Sequence, residues 1–203
     1  MSDTKELILD AAQRMIARQG VTNASVNAIV EEAGISKGAL YHHYKSKDML
    51  LCDVVDRAIK DYSEPVLALR KGDQDHFKEG LDRGIAEHLQ NEVHNKLLFY
   101  LTHEAILGNE ELKSRLAEMY SGRVDTLRGL LNDMYGLSET RHTRTLAATF
   151  LGAVEGQIMQ LMLGSEAVRA DEFAEIWHFM IYEGAPLLLK RLKEIEDAKA
   201  REA

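Results

Sequence analysis

The sequence predicts an all-α chain, with an N-terminal three-helix helix-turn-helix head followed by a larger helical domain. Three observations point to the helices. Apolar residues recur at three- and four-residue steps, and no stretch alternates polar and apolar long enough to make a sheet. Only 2 prolines interrupt a chain rich in Leu, Ala, Glu, Lys and Met, with 45% hydrophobic and 29% charged residues. The helical segments are short up to about residue 50 and long after it, which suggests a small unit joined to a larger one. A chain of 203 residues can bury a sizeable core without disulfide or metal staples. The single cysteine, Cys52, has no internal partner and is expected to fill core space beside Leu51 and Val55. The opening MSDTKELILD carries three acids, unlike a signal peptide, and no apolar run reaches the length of a bilayer span. The expected location is cytoplasmic, with no membrane partner.

Each element has a local reason. Asp3 can cap the first helix, with Glu6 completing a capping box, and Leu7, Ile8, Ala11, Ala12, Met15 and Ile16 form one apolar face. Gly20 is the expected end, because glycine tolerates the left-handed conformation that terminates helices. Ser25 begins a second helix carrying Val26, Ile29, Val30 and Ala33, and Gly34 ends it. Ser36 caps a third helix, with Ala39, Leu40 and Tyr44 inward. Ser46 caps a fourth, with Met49, Leu50, Val54 and Ile59 inward. Pro65 predicts a kink or boundary, and RKGDQ at 70–74 a break. Longer helices are expected at 75–91, 95–107, 110–135, 139–164 and 170–195, the last bent by Pro186.

The formal charge of -8 looks unfriendly to nucleic acid until it is resolved by region. Residues 1–50 hold six Lys/Arg and six Asp/Glu, so the remaining 153 residues carry all of the -8. Within the first part, SKGALYHHYKSK at 36–47 has three lysines, two histidines and no acid. The charge and the helix lengths together divide the chain into a small unit at 1–50, the candidate DNA-binding domain, and a larger helical unit at 51–203.

Two short helices joined by AGIS carry the helix-turn-helix pattern: Gly34 permits the turn, Ala33 allows close approach and Ile35 fills the space between. Spacing alone also fits an ordinary helical hairpin. In the first case the next helix enters a major groove and presents Lys37, Tyr41, His42 and His43. Gly38 lets its backbone come close, and Lys47 is within reach of another phosphate. His42 and His43 are neighbours about 100° apart on a helix and make a poor metal pair; neither a metal nor a cofactor is expected.

From Leu7 to Leu51, and most densely over VNAIVEEAGISKGALYHHYKSKDMLL at 26–51, the chain resembles the TetR family of transcriptional regulators. The resemblance lies in the apolar second helix, the AG-I-S turn, the G-x-L-Y recognition helix, the aromatic at 44 and the K-x-x-L that follows. It implies base or nearby phosphate contacts for Lys37 and His43, a base-edge or backbone contact for Asn27, and phosphate contacts for Tyr41 and Lys47. Ser25 and Ser36 would cap helices beside the DNA backbone, and Gly38 would permit close approach. Tyr44 stands where the family often has phenylalanine, so a packing role is expected. Ala39 is small for a base-reading position, which leaves direct readout sparse.

The resemblance further implies a homodimer on double-stranded palindromic operator DNA, acting as a repressor released by a small apolar or amphipathic effector. Phe99, Thr102, His103, Tyr120, Val124, Leu127 and Gln157 lie on segments able to line such a site, and ordinary core packing explains most of them as well. Gly152, Gly156 and Met159 on one helix, with Trp177, Met180, Gly184 and Leu188 on the next, are the expected dimer interface. No nucleotide-loop, zinc-protease or nucleophile-elbow motif occurs, so the chain is not expected to be an enzyme. The alternative function is a helical small-molecule-binding or scaffold protein with vestigial DNA-binding heads.

Overall fold

The computed structural model describes residues 2–69, 74–135, 142–167 and 169–202. All of the regular structure among them is helical: α1 (Ser2–Asn23), α2 (Val26–Ala33), α3 (Lys37–His43), α4 (Lys47–Leu69), α5 (Gln74–Gln90), α6 (Glu92–Ile106), α7 (Glu110–Tyr135), α8 (Thr143–Met162), α9 (Ala170–Phe179), a π-helical turn (Met180–Gly184) and α10 (Ala185–Glu202). These form two compact units, Met1–Glu64 with Asn91–Tyr120, and Pro65–Gln90 with Ser121–Ala203.

The first unit is larger than the sequence division at residue 50. Ile8, Ala11, Ala12 and Ile16 of α1 are buried with Ile29, Leu40, Leu50 and Val54, and the same core takes in Leu97 and Leu101 of α6 and Leu112 of α7. The three short helices do not supply enough apolar surface by themselves, and α6 packs along α1 to complete their core. Polar ties reinforce it. Arg57 of α4 pairs with Glu6 and Asp10 of α1, and Asn109 donates to Asp48 at 2.9 Å. Cys52 is buried, and burial pushes its thiol up.

Local chemistry sets the ends of the short helices. Ser25, Ser36 and Ser46 accept from the amides of Ala28, Ala39 and Met49 at 3.2, 3.1 and 3.2 Å. Gly34 adopts φ 66° and ψ 31°, its N–H donates to the Glu31 carbonyl, and the N–H of Ile35 reaches back to Val30 at 3.0 Å. That paired closure is available because glycine has no Cβ to clash in the left-handed region. Gly20 breaks α1 geometry as expected, at φ 80° and ψ 168°, but a further turn carries the helix on to Asn23. The expected capping by Asp3 rests on a side chain outside the described residues.

Three other expectations change. The α4 helix runs unbroken through Pro65 to Leu69, so that proline ends nothing; the division between units falls there instead. Met49 is exposed, because the buried line of α4 runs through Leu50, Leu51, Val54, Val55 and Ala58. Most of RKGDQ and the start of the helix expected at 139 lie outside the described residues; α5 opens at Gln74 and α8 at Thr143.

The second unit is built on Leu81, Ile85, Leu130, Leu131, Phe150, Val154, Phe173 and Trp177. Pro186 does perturb the last long helix, through the π turn just before it. The Ala185 N–H donates to Met180 rather than to Ile181, and Pro186 has no N–H to offer. Ile181 is fully buried, and its orphaned carbonyl accepts from the Tyr135 hydroxyl. Burial pushes that phenol up to about 12 and keeps it a donor.

Candidate nucleic-acid interface

The recognition helix α3 has two distinct sides. Leu40 and Tyr44 point inward, with Leu40 only 1% exposed. The Tyr44 hydroxyl donates to Asp53 at 3.0 Å, and Asp53 also pairs with Lys5 at 2.7 Å. Burial and the Asp53 carboxylate push the Tyr44 phenol well above its usual range. This tyrosine is therefore a strut between α3, α4 and α1, as its place in the pattern suggested. The opposite side presents Ser36, Lys37, Gly38, Tyr41 and His42 to solvent, with Tyr41 51% exposed. His43 is half-buried, and its ring meets His42 edge-on at 5.3 Å. Among the described residues no cluster of three or more His, Cys, Asp or Glu could hold a metal ion.

On α2, Ser25 and Asn27 are exposed beside this surface. The turn between α2 and α3 is held by Ala33 and Ile35, both packed against the core. Glu32 faces the other way, paired with Arg14 at 2.9 Å and Arg18 at 3.5 Å, so its charge is compensated within the first unit. The side chains that form the outward face of α3 carry positive charge and hydrogen-bonding groups without a carboxylate among them.

Lys47 departs from expectation. Its ammonium is half-buried and donates to the Val21 carbonyl in the last turn of α1. Burial lowers its pKa, opposed by the charges of Glu104 and Asp48. A lysine expected to reach phosphate is here a clip that joins the start of α4 to the end of α1. Its position satisfies a helix-terminal carbonyl that α1 leaves without an amide.

The residues expected to line a ligand site divide between the two units. Phe99 and His103 lie one turn apart on α6 and face solvent, Phe99 at 48% exposure, because the buried line of that helix runs through Leu97, Leu101 and Ala105. Thr102 is half-buried, and Tyr120 packs on the first core. In the second unit Leu127 is core, Val124 packs against it and Gln157 is half-buried. Thus Phe99 and His103 are corrected to surface positions, and Leu127 to packing.

Of the expected dimer residues, Gly152 is exposed and Gly156 half-buried. A Cβ on either would meet nothing within 4 Å. Met159 and Leu188 are exposed, and Met180 packs at the margin of the core. Gly184 lies in the π turn, where a Cβ would come 3.8 Å from the Phe179 carbonyl. Trp177 must be removed from this set: it is 2% exposed, inside the unit against Phe150 and Phe173. The outward apolar residues of the same helices are Ile176, Phe179 and Leu187. One buried feature escaped the sequence reading altogether, the Arg123–Glu155 pair at 3.2 Å, with the arginine side chain 6% exposed. Its signal was present, since Arg123 continues the line of Leu116, Met119, Leu127 and Leu130 along α7.

A capped helix-turn-helix with an outward basic and hydrogen-bonding recognition helix, leading into a helical body, defines a DNA-binding transcriptional regulator. Comparison with known proteins agrees with that class. Residues 8–54 match the bacterial regulatory proteins of the tetR family. An HTH-type transcriptional regulator in the lacX 3'region of Lactococcus lactis subsp. lactis is 24% identical over 79% of this chain and 84% of its own length. Among solved structures, a TetR-family regulator from Rhodococcus sp. aligns with TM-score 0.74 and 23% identity, covering 89% of this chain and 97% of that one. The transcriptional regulator FadR from Bacillus subtilis, in complex with stearoyl-CoA, aligns with TM-score 0.71 and 18% identity over 88% of this chain and 98% of that one.

Proposed function

We propose that this chain is a homodimeric, cytoplasmic repressor that binds a palindromic operator and is released when a small apolar or amphipathic effector occupies its 51–203 domain. The observation that carries the reading is the two-sided recognition helix. Leu40 and Tyr44 anchor it, while Lys37, Gly38, Tyr41 and His42 stand outward with no acid among them. In this reading Lys37 and His43 meet bases or nearby phosphates, Tyr41 a phosphate, and Asn27 a base edge or the backbone. Ser25 and Ser36 hold helix ends beside the strand, and Lys47 positions α4.

A single seven-residue helix reads too few base pairs for an operator, and a two-fold pair reads two half-sites about one helical turn apart. Gly152, Met159 and Leu188, with Ile176, Phe179 and Leu187, offer an exposed apolar face for that pairing. The FadR complex supports an amphipathic effector by likeness of fold. Among the described residues no helix is long and apolar enough to cross a membrane. Release requires only that the effector bind the DNA-free conformation better than the bound one.

The test is an anisotropy titration of the protein on its own upstream DNA across a salt series. Affinity should fall steeply with salt, and Lys37→Ala should flatten the log–log slope by about 0.9, one phosphate's worth of counterion release. Binding that ignores both Lys37→Ala and Tyr41→Ala would refute the assigned face and favour vestigial heads.

A further inference from the structure

The helix-turn-helix is closed at its base. The chain enters α2 from Ala24, directly after the last turn of α1, and leaves α3 through residues 44–46 into α4. Those two ends meet where the Lys47 ammonium donates to the Val21 carbonyl, so the segment carrying the DNA-facing side chains is tied between residues 21 and 47. The tie depends on where the Val21 carbonyl points. That direction is set by Gly20, whose φ of 80° and ψ of 168° turn the final residues of α1 off the line of the helix. The Ala24 N–H donates to the Gly20 carbonyl at 3.1 Å, and Val21 and Ala24 are buried, which seats the turned segment on the core.

Two residues of α6, one turn apart, stand against this clasp. The edge of the Tyr100 ring covers Gly20: a Cβ there would lie 3.4 Å from Cε1 and 3.5 Å from Cδ1. The ring makes this contact, not the hydroxyl. Glu104 is half-buried, and its negative charge stabilises the Lys47 ammonium against the cost of burial. Asn109 adds a further tie through Asp48, the residue after Lys47. Glycine has the widest choice of backbone conformations, so a contact from outside its own helix must select the one seen here.

We propose that Tyr100 is a positioning residue for operator binding: by covering Gly20 it selects the turned end of α1, and through the Val21–Lys47 clasp it fixes the helix-turn-helix in the form that fits DNA. This role rests on the DNA-binding reading above and deepens it. When the clasp is open in part of the molecules, affinity falls by the fraction that remains closed. Loss of the ring should therefore weaken binding and leave the number of neutralised phosphates, hence the salt dependence, unchanged.

The experiment titrates the full-length parent and its variants onto the upstream DNA across a salt series, at a temperature where denaturant unfolding shows each to be folded. Tyr100→Leu keeps apolar volume and helix propensity but not the flat ring. It should bind about tenfold more weakly, with the parent's log–log salt slope. Tyr100→Phe should bind as the parent does, because the ring supplies the contact. Lys47→Met opens the same clasp from the other side, so it should also weaken binding at an unchanged slope. In the Tyr100→Leu background that second effect should largely disappear.

Parental affinity in folded Tyr100→Leu overturns the proposal, as do additive effects of the two substitutions. Tyr100→Phe as weak as Tyr100→Leu overturns it too, since the hydroxyl would then be the operative group. Where Tyr100→Leu does not fold, Lys47→Met decides: weaker binding at the parental slope supports the clasp, and parental affinity or a reduced slope overturns it. If the parent binds its upstream DNA and Tyr100→Leu binds equally well, only this proposal fails; if the parent binds no DNA, the regulatory reading fails and takes the proposal with it.

Discussion

Replacing Tyr135 with phenylalanine removes one oxygen, and the structure says where its loss is felt. In a regular α-helix the Ile181 carbonyl would accept from residue 185, but the Ala185 N–H is committed to Met180. In a continued π-helix it would accept from residue 186, and proline has no N–H. The hydroxyl of Tyr135 is the donor that remains, and it reaches across from the end of α7. Ile181 is fully buried, so no solvent water replaces it. Tyr135→Phe should therefore cost the desolvation of an unpaired carbonyl, about 1–3 kcal/mol, rather than the smaller net value of an exposed hydrogen bond.

The assay is denaturant unfolding at fixed protein concentration, which matters because association shifts apparent stability. The midpoint should fall with an unchanged slope. A double-mutant cycle isolates the cause. Pro186→Ala supplies an N–H whichever register the turn adopts: residue 186 bonds to Ile181 in the π form, and residue 185 does so in the α form. In that background Tyr135→Phe should lose most of its effect, with a coupling of about 1 kcal/mol or more. Equal losses in the two backgrounds, within about 0.5 kcal/mol, would mean the carbonyl has another donor, and the account of the π turn would be wrong.

Gly34→Ala should cost about 1–2 kcal/mol in thermal or denaturant unfolding, because a Cβ there has open space and only the left-handed backbone is strained. Gly20→Ala should cost more, since φ 80° with ψ 168° lies outside the left-handed well and the new Cβ would sit 3.4 Å from the Tyr100 ring; the reverse order would contradict both geometries. Lys47→Met should lower stability by about 1 kcal/mol through loss of the Val21 contact. Its salt slope in DNA titrations should match the parent, whereas a slope reduced as in Lys37→Ala would restore Lys47 to the phosphate contacts. A Cβ at Gly152 meets no described atom within 4 Å, so Gly152→Gln should leave folding within about 0.5 kcal/mol, yet sedimentation should show a weakened dimer; an unchanged dimer would move the interface elsewhere.

The contrast between head and body explains what the sequence could reveal. The short helices are bounded by residues with one dominant local explanation: serines that accept from amides three residues on, and a glycine whose backbone other residues rarely adopt. Ser25, Gly34 and Ser36 therefore stand in the structure as read. Side-chain facing was legible wherever a helix has one buried line, which is why Leu40 and Tyr44 were separated correctly from Lys37 and Tyr41. It was not legible where a helix is apolar on more than one side. On α9 both Ile176 and Trp177 are apolar neighbours about 100° apart, and periodicity is satisfied with either one inward. The structure turns Trp177 into the unit and leaves Ile176 outside. Likewise α6 carries Leu97, Leu101 and Ala105 on one line and Phe99 on another, so hydrophobicity alone assigned Phe99 to an interior it does not reach. Polar burial was the least legible, because Arg123 and Lys47 look like solvated charges until their partners, Glu155 and the Val21 carbonyl, are brought up by helices distant in sequence. Trp177 belongs to the same kind of misreading in reverse. Its apolar ring concealed a polar demand, and that demand became visible only when the core closed around an N–H that has no hydrogen-bond partner among the described residues.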